Sequence, residues 1–167
     1  VECVAPLSRG GGLAGVRVRA RRGGRHHDVR SRVVVVAVGA AAPELVTRLI
    51  GDPSRSPPFS LAINLVAPPL GARVGFATSS GGGRKLFLAP WRGLTLVGTA
   101  HFAYAGDPWA PQAERYVARF LEEVNRSVPG WGLTRDDVAL VHRGRIPLEP
   151  GGAGGAGEPV LLRHHRI

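Results

Sequence analysis

A histidine, a large set of arginines and several glycine runs are the residues of this chain whose chemistry could serve a reaction. His101 follows closely on the small polar pair Gly98-Thr99, and an imidazole is the commonest general base near neutral pH. The plainer alternative is an ordinary loop histidine. Lys85 is the only lysine among 22 basic residues, so an anion held here would be met by planar guanidinium forks, which donate two parallel hydrogen bonds to a phosphate. The pairs His26-His27 and His164-His165 have no third ligand at metal-binding spacing, so no metal centre is expected. Cys3 stands alone, which excludes a disulfide framework and a thiolate metal site and fits a reducing, cytoplasmic setting. No GxGxxG turn is present, and neither Gly10-Gly11-Gly12 nor Gly81-Gly82-Gly83 leads into helical periodicity. Neither run therefore reads as a phosphate loop.

The elements that must position these residues follow from periodicity. Glu2 to Ala5 reads as a short strand. Leu13 to Arg19 alternates apolar and basic residues, as a half-buried strand does. After a turn at Arg22-Gly23-Gly24-Arg25, a third strand is expected from His27 to Val36, its valine run buried on both faces. These make a small antiparallel meander, followed by a helix from Pro43 to Ile50 with proline in the first turn. Beyond the Pro/Ser-rich connector Gly51 to Pro58, strands are expected at Phe59 to Val66, Arg73 to Thr78, Lys85 to Ala89 and Leu94 to Gly98. Trp91-Arg92-Gly93 forms the hairpin turn joining the last two. One amphipathic helix begins near Pro111, carries Tyr116, Phe120, Leu121 and Val124 on its apolar side, and stops at Pro129-Gly130. Strands at Val138 to His142 and from Val160 complete an α+β fold. The domain reading is 1–52, 53–148 and 149–167.

The net charge of +10 admits a second class of function, a non-catalytic β-rich module on an anionic polymer or membrane surface. The arginines, however, are scattered along the sequence rather than striped, and abundant Gly, Ala, Pro and Arg fit GC-rich codon usage, so no nucleic-acid partner is expected. No apolar run has the length of a membrane span. The chain contains no methionine, which leads to the expectation that it is an internal piece of a longer protein.

One stretch is more specific than any of these. Phe87-Leu88-Ala89-Pro90-Trp91-Arg92-Gly93-Leu94-Thr95-Leu96-Val97-Gly98-Thr99, followed by Tyr104-Ala105-Gly106-Asp107-Pro108, resembles the PWRG.T.(I/L)GTTD..Y.GDP segment of the FAD-dependent glycerol-3-phosphate dehydrogenases, within the amino-acid-oxidase-like flavoproteins. Gly12 to Val16, Arg32 to Gly39, Leu133 to Val138, Gly144 to Leu148 and Leu162 to Ile167 resemble further family segments in the same order. The resemblance implies a slice of a Rossmann-like FAD domain, seen here as the β-meander, joined to an antiparallel-sheet substrate domain with one main helix. It implies FAD as cofactor, with Ala37 and Gly39 in the strand and turn that approach it. It implies a small alcohol or polyol phosphate as substrate, oxidised by hydride transfer to flavin. An electron acceptor such as a quinone follows, with peripheral contact at the inner membrane face.

Carried onto this sequence, the family's active-site histidine falls on Asn64 and the aspartate of GTTD on His101, the two positions expected to be catalytic. Thr99 and Arg163 are the expected substrate-binding positions; Thr99 falls on the first threonine of GTTD, and Arg163 keeps the family's arginine. The family arginine of G(V/L)RPL falls on Ile146. Arg145 beside it should point to the opposite face of a strand. Three groups that would hold glycerol 3-phosphate are thus changed, and an altered substrate is expected.

Overall fold

The apolar–basic alternation after Gly12 becomes the middle strand of a three-stranded antiparallel sheet. It comprises β1 (Glu2–Arg9), β2 (Gly12–Arg19) and β3 (His26–Arg30), in the order β1-β2-β3. The computed structural model describes residues 1–52, 57–80, 84–149 and 159–162. The chain divides into two units, Val1–Pro57 and Pro58–Ile167, and the fold is α+β.

In the first unit, Arg17 forks onto Asp28, which faces it across β2 and β3, and Arg19 donates to Glu2 across β1 and β2. The arginines hold both carboxyls below the usual carboxylate range, chiefly through these hydrogen bonds. The pairs are solvent-exposed, so they fix register more than they stabilise. At Gly15 the backbone lies at φ +139, and a Cβ there would sit 2.1 Å from the Val29 carbonyl oxygen. Helix α1 (Ala42–Ile50) begins with Pro43 in its first turn and ends at left-handed Gly51, whose N–H reaches the Thr47 carbonyl at 2.8 Å. Arg48 donates to the Cys3 carbonyl. Leu49 is the one buried hydrophobic side chain among the described residues of this unit.

The expected strand through Val36 is corrected. β3 stops at Arg30, and Val33 and Val35 are 74% and 82% exposed. The cause lies in the partner strand. β2 runs from its turn at Gly12, and Gly15 already pairs with Arg30, so a strand continuing past Ser31 has almost no ladder left to join.

The second unit is a five-stranded antiparallel sheet, β5-β6-β7-β4-β8, with one helix packed on one face. Its strands are β4 (Phe59–Ala67), β5 (Phe76–Ser79), β6 (Lys85–Trp91), β7 (Leu94–Ala103) and β8 (Leu140–Pro147). The β6–β7 connection is a two-residue turn, Arg92 (φ 51) and Gly93 (φ 77), the left-handed pair that suits a twisted hairpin. Helix α2 (Glu114–Ser127) follows a 3-10 turn at Pro111–Ala113 and buries Val117, Phe120, Leu121 and Val124. Val117 holds the inward position; Tyr116 lies at the edge of the core against Phe102 and Tyr104. Alternate residues of β4, namely Leu61, Ile63, Leu65 and Ala67, meet α2 together with Leu86, Leu88, Val97 and Ala100. Asn125 fastens the loop after α2 by bonding both the N–H and the carbonyl of Leu133. β8 begins two residues later than expected and takes in Gly144 to Pro147; Leu148 then bridges to Leu161.

Candidate functional site

The polar residues of β4 lie on the sheet face turned away from α2. Because strand side chains alternate, Ser60, Ala62, Asn64 and Val66 share that face. Neighbouring strands add His101 opposite Ala62, and Ile146, Gly144 and His142 opposite Ser60, Ala62 and Asn64. Arg145, one residue from Ile146, pairs with Leu61 instead and places its guanidinium 4.3 Å from the centre of the Phe59 ring.

Asn64 and Thr99 meet through a β-bulge. Ile63 pairs with Ala100 and Leu65 with Val97, so Gly98 and Thr99 together oppose Asn64. The Gly98–Thr99 peptide is cis. The bulge returns both Val97 and Ala100 to the α2 side and lets the Thr99 hydroxyl donate to Asn64 Oδ1 at 2.7 Å. Among the described residues the Asn64 amide nitrogen has no hydrogen-bond partner, so its two N–H donors remain for another group. A Cβ on Gly98 would lie 1.7 Å from Asn64 Oδ1 and 2.7 Å from its Cγ. Gly98→Ala is therefore expected to swing Asn64 aside and break its bond with Thr99. The cost is about 1–3 kcal/mol, the range for a lost and partly unsatisfied polar contact. Urea denaturation together with the Asn64 side-chain amide resonances checks it.

His101 is half-buried beside fully buried Ser60. The Ser60 hydroxyl oxygen lies 3.4 Å from His101 Nδ1 and 3.4 Å from the Ile146 carbonyl. One hydroxyl proton can serve only one of these acceptors, so either Ser60 donates to the ring or the ring's Nδ1–H donates to Ser60. Burial first, and then the positive charge of Arg84, push the His101 pKa below the ordinary imidazole value of 6.5. The unfolded chain thus takes up this proton first on acidification. The His101 contribution to stability is full above 6.5 and is lost as pH falls through that value toward the lowered folded one. Between about pH 7.5 and about pH 5.5, the wild-type chain is expected to lose more thermal stability than His101→Gln. Paired melts at the two pH values decide it, and equal losses would refute the assignment.

Ala37 and Gly39 belong to the first unit and are exposed. Gly39 has φ +59, opens the 3-10 turn Gly39–Ala41 before α1, and has nothing within 4 Å of where a Cβ would stand. The structure thus brings Asn64 to Thr99, sets His101 on the same sheet face, and carries Ala37 and Gly39 on the other unit. Arg163, Gly81 to Gly83 and His164-His165 lie outside the described residues. Sequence reasoning missed Ser60, Gly98 and Arg84. Ser60 and Gly98 stand in strand runs already recognised, but only the pairing of β4 with β7 and β8 gives them their neighbours.

A separate ion cluster lies beside a cleft of about 390 Å³ lined by Trp109, Glu114, Arg135, Leu140 and Arg143 among others. Glu114 accepts from both Arg135 and Arg143, and Arg143 also reaches the Pro108 carbonyl at 3.2 Å. The two arginines hold the Glu114 carboxyl below its usual range, Arg135 foremost. The cluster ties the loop after β7 to α2 and β8. Among the described residues no group of three or more His, Cys, Asp or Glu side chains is placed to hold a metal ion. No described helix is long and apolar enough to cross a membrane.

No protein-family model matches the sequence, and no curated protein matches it. Among solved structures, the X-ray structure of the glycerol-3-phosphate dehydrogenase from Bacillus halodurans complexed with FAD is similar to this chain. The TM-score is 0.71 at 23% identity, over 88% of this chain and 30% of that one. The likeness is one of fold, and the chain spans less than a third of the length of the flavoenzyme it matches.

Proposed function

We propose that this chain is the substrate-facing part of an FAD-dependent oxidoreductase and acts within a longer polypeptide. The observation that carries the reading is the fold likeness to an FAD-complexed dehydrogenase over 88% of the chain. The polar group Asn64, Thr99 and His101 on the sheet face free of α2 supports it. The exposed, left-handed Gly39 turn fits close backbone approach by a cofactor. Among the described residues the pyrophosphate has no comparable place: the first turn of α1 carries Pro43 and Glu44 rather than a glycine-rich anion cradle.

When bound, FAD supplies the acceptor for a hydride leaving the substrate carbon. The side chains of this chain supply the rest. His101, whose pKa is lowered by burial and by Arg84, accepts the hydroxyl proton of the substrate on Nε2, in the tautomer whose Nδ1–H donates to Ser60. Asn64 presents its amide N–H groups to a substrate oxygen, and Thr99 fixes which way that amide faces. Arg163 meets an anionic group. The substrate is an alcohol or polyol phosphate, and Ile146, where the family carries arginine, weakens use of glycerol 3-phosphate. Loss of one charge-assisted bond costs about 1.5–3 kcal/mol, which is roughly tenfold to more than a hundredfold in affinity. The electrons pass on to an acceptor such as a quinone, in a cytoplasmic enzyme with peripheral membrane contact.

The test compares the 167-residue chain with the uninterrupted open reading frame that encodes it. The short chain is expected to be colourless after gel filtration. The longer protein is expected to carry stoichiometric flavin absorbance and to oxidise neutral alcohols or polyol phosphates. A longer protein that binds no flavin would overturn the reading.

A further inference from the structure

Asn64 meets the Thr99 hydroxyl because the bulge at Gly98-Thr99 holds one shape, and a guanidinium anchored to the helix reaches that bulge. Arg84 stands just before β6. It donates from Nη1 to the Thr99 carbonyl at 2.5 Å and from Nη2 to the Glu123 carboxylate on α2. Its guanidinium also lies 5.7 Å from the centre of the Phe120 ring. Both charged partners are largely buried, at 13% and 19% side-chain exposure. A planar fork held at one end by a carboxylate and on one side by an aromatic ring has little freedom left, so its Nη1 donor fixes the carbonyl it meets. The Thr99 carbonyl and the Thr99 hydroxyl belong to one residue. Anchoring the first sets the direction of the second, and the second occupies Asn64 Oδ1.

We propose that Arg84 is a positioning residue for this site: tied to α2 through Glu123, it locks the Gly98-Thr99 bulge and thereby sets the direction of the Asn64 amide donors on the sheet face turned away from α2. This deepens the oxidoreductase reading and rests on it for the use made of those donors. The same guanidinium is the charged group acting on His101. Among the described residues the other groups facing that imidazole are the Ser60 hydroxyl from β4 and, through it, the Ile146 carbonyl from β8. One residue thus bears on two properties, one through its fork and the other, after burial, through its charge.

These can be separated by nuclear magnetic resonance on the 167-residue chain, with no flavin present. The probes are the Asn64 side-chain amide protons and the His101 ring protons across a pH titration. Thr99→Val removes the hydroxyl donor at nearly constant shape and supplies the reference shift of a released Asn64 amide. Arg84→Lys keeps the charge and loses the fork. It should move the Asn64 amide resonances toward the Thr99→Val positions while the His101 titration stays close to wild type. Arg84→Met loses both, so the Asn64 resonances should move and the His101 midpoint should rise toward 6.5. Glu123→Gln, which weakens the anchor, should give a partial Asn64 displacement. Asn64 resonances unchanged in folded Arg84→Lys would overturn the proposal and reduce Arg84 to a stabilising ion pair, whether or not Arg84→Met folds. Because no step reads flavin or turnover, a failure of the oxidoreductase reading leaves this result standing, and the reverse holds equally.

Discussion

Phe120→Ala is expected to destabilise the second unit by about 3–5 kcal/mol, the range for emptying a fully enclosed aromatic site. Phe120 is the largest of the fully buried side chains and lies in the cluster that joins α2 to Leu61, Ile63, Leu86 and Val97. Truncation leaves a void against strands that cannot close over it, because β4 is held by β7 on one side and β8 on the other. It also strips the ring from beside the Arg84 guanidinium. The melting temperature should fall by on the order of 10–20 °C. Trp91, Trp109 and Trp131 all lie in the second unit, so tryptophan fluorescence follows this transition directly. Phe87→Ala is the control: at 62% exposure, its loss should stay within about 0.5 kcal/mol. Equal effects from the two phenylalanines would show that α2 does not cover the sheet as described.

The second large effect is expected at Gly15→Ala. Most glycines of this chain with positive φ stand in open turns, where an added methyl group strains the backbone and meets nothing. Gly15 differs because it lies inside β2 at φ +139. Its Cβ would stand 2.1 Å from the Val29 carbonyl oxygen and 2.8 Å from the Arg30 Cα. Both obstacles are backbone atoms, so no side-chain rotation relieves them, and β3 must move. The unfavourable φ alone costs about 1–3 kcal/mol, and the lost β2–β3 ladder adds to it. Cross-strand nuclear Overhauser contacts between Val16 and Val29, paired in the native register, should disappear in the variant. Their persistence would refute the expectation.

What the sequence disclosed, and what it withheld, follows the range of the forces involved. The β6–β7 hairpin was legible because a two-residue left-handed turn leaves its mark locally, in Arg92-Gly93 between apolar runs. Helix α2 was legible because Phe120, Leu121 and Val124 recur with its own period. Tyr116 does pack at the edge of the core, while the fully inward position is Val117, which shares the period of Phe120, Leu121 and Val124. The valines after Arg32 have the residue types of a central strand but no partner, because β2 ends at its turn, and composition cannot report where another strand stops. The meeting of Thr99 with Asn64 depends on a bulge set by register across 35 residues. The Arg84–Glu123 pair spans 39 residues. Neither has any local signature.

The uneven division of buried apolar surface sets two timescales within one chain. The first unit encloses Leu49 alone among its described hydrophobic side chains, whereas the second encloses a continuous cluster between the sheet and α2. Opening the three-stranded sheet exposes little that water rejects; opening the five-stranded one exposes nearly all of it. Amide protons of β2 should therefore exchange with solvent through fluctuations that leave β4 closed, and protease nicks should collect in the first unit while the second stays whole. A fluorescence melt, reading tryptophans that all belong to the slower part, would pass over the faster one in silence.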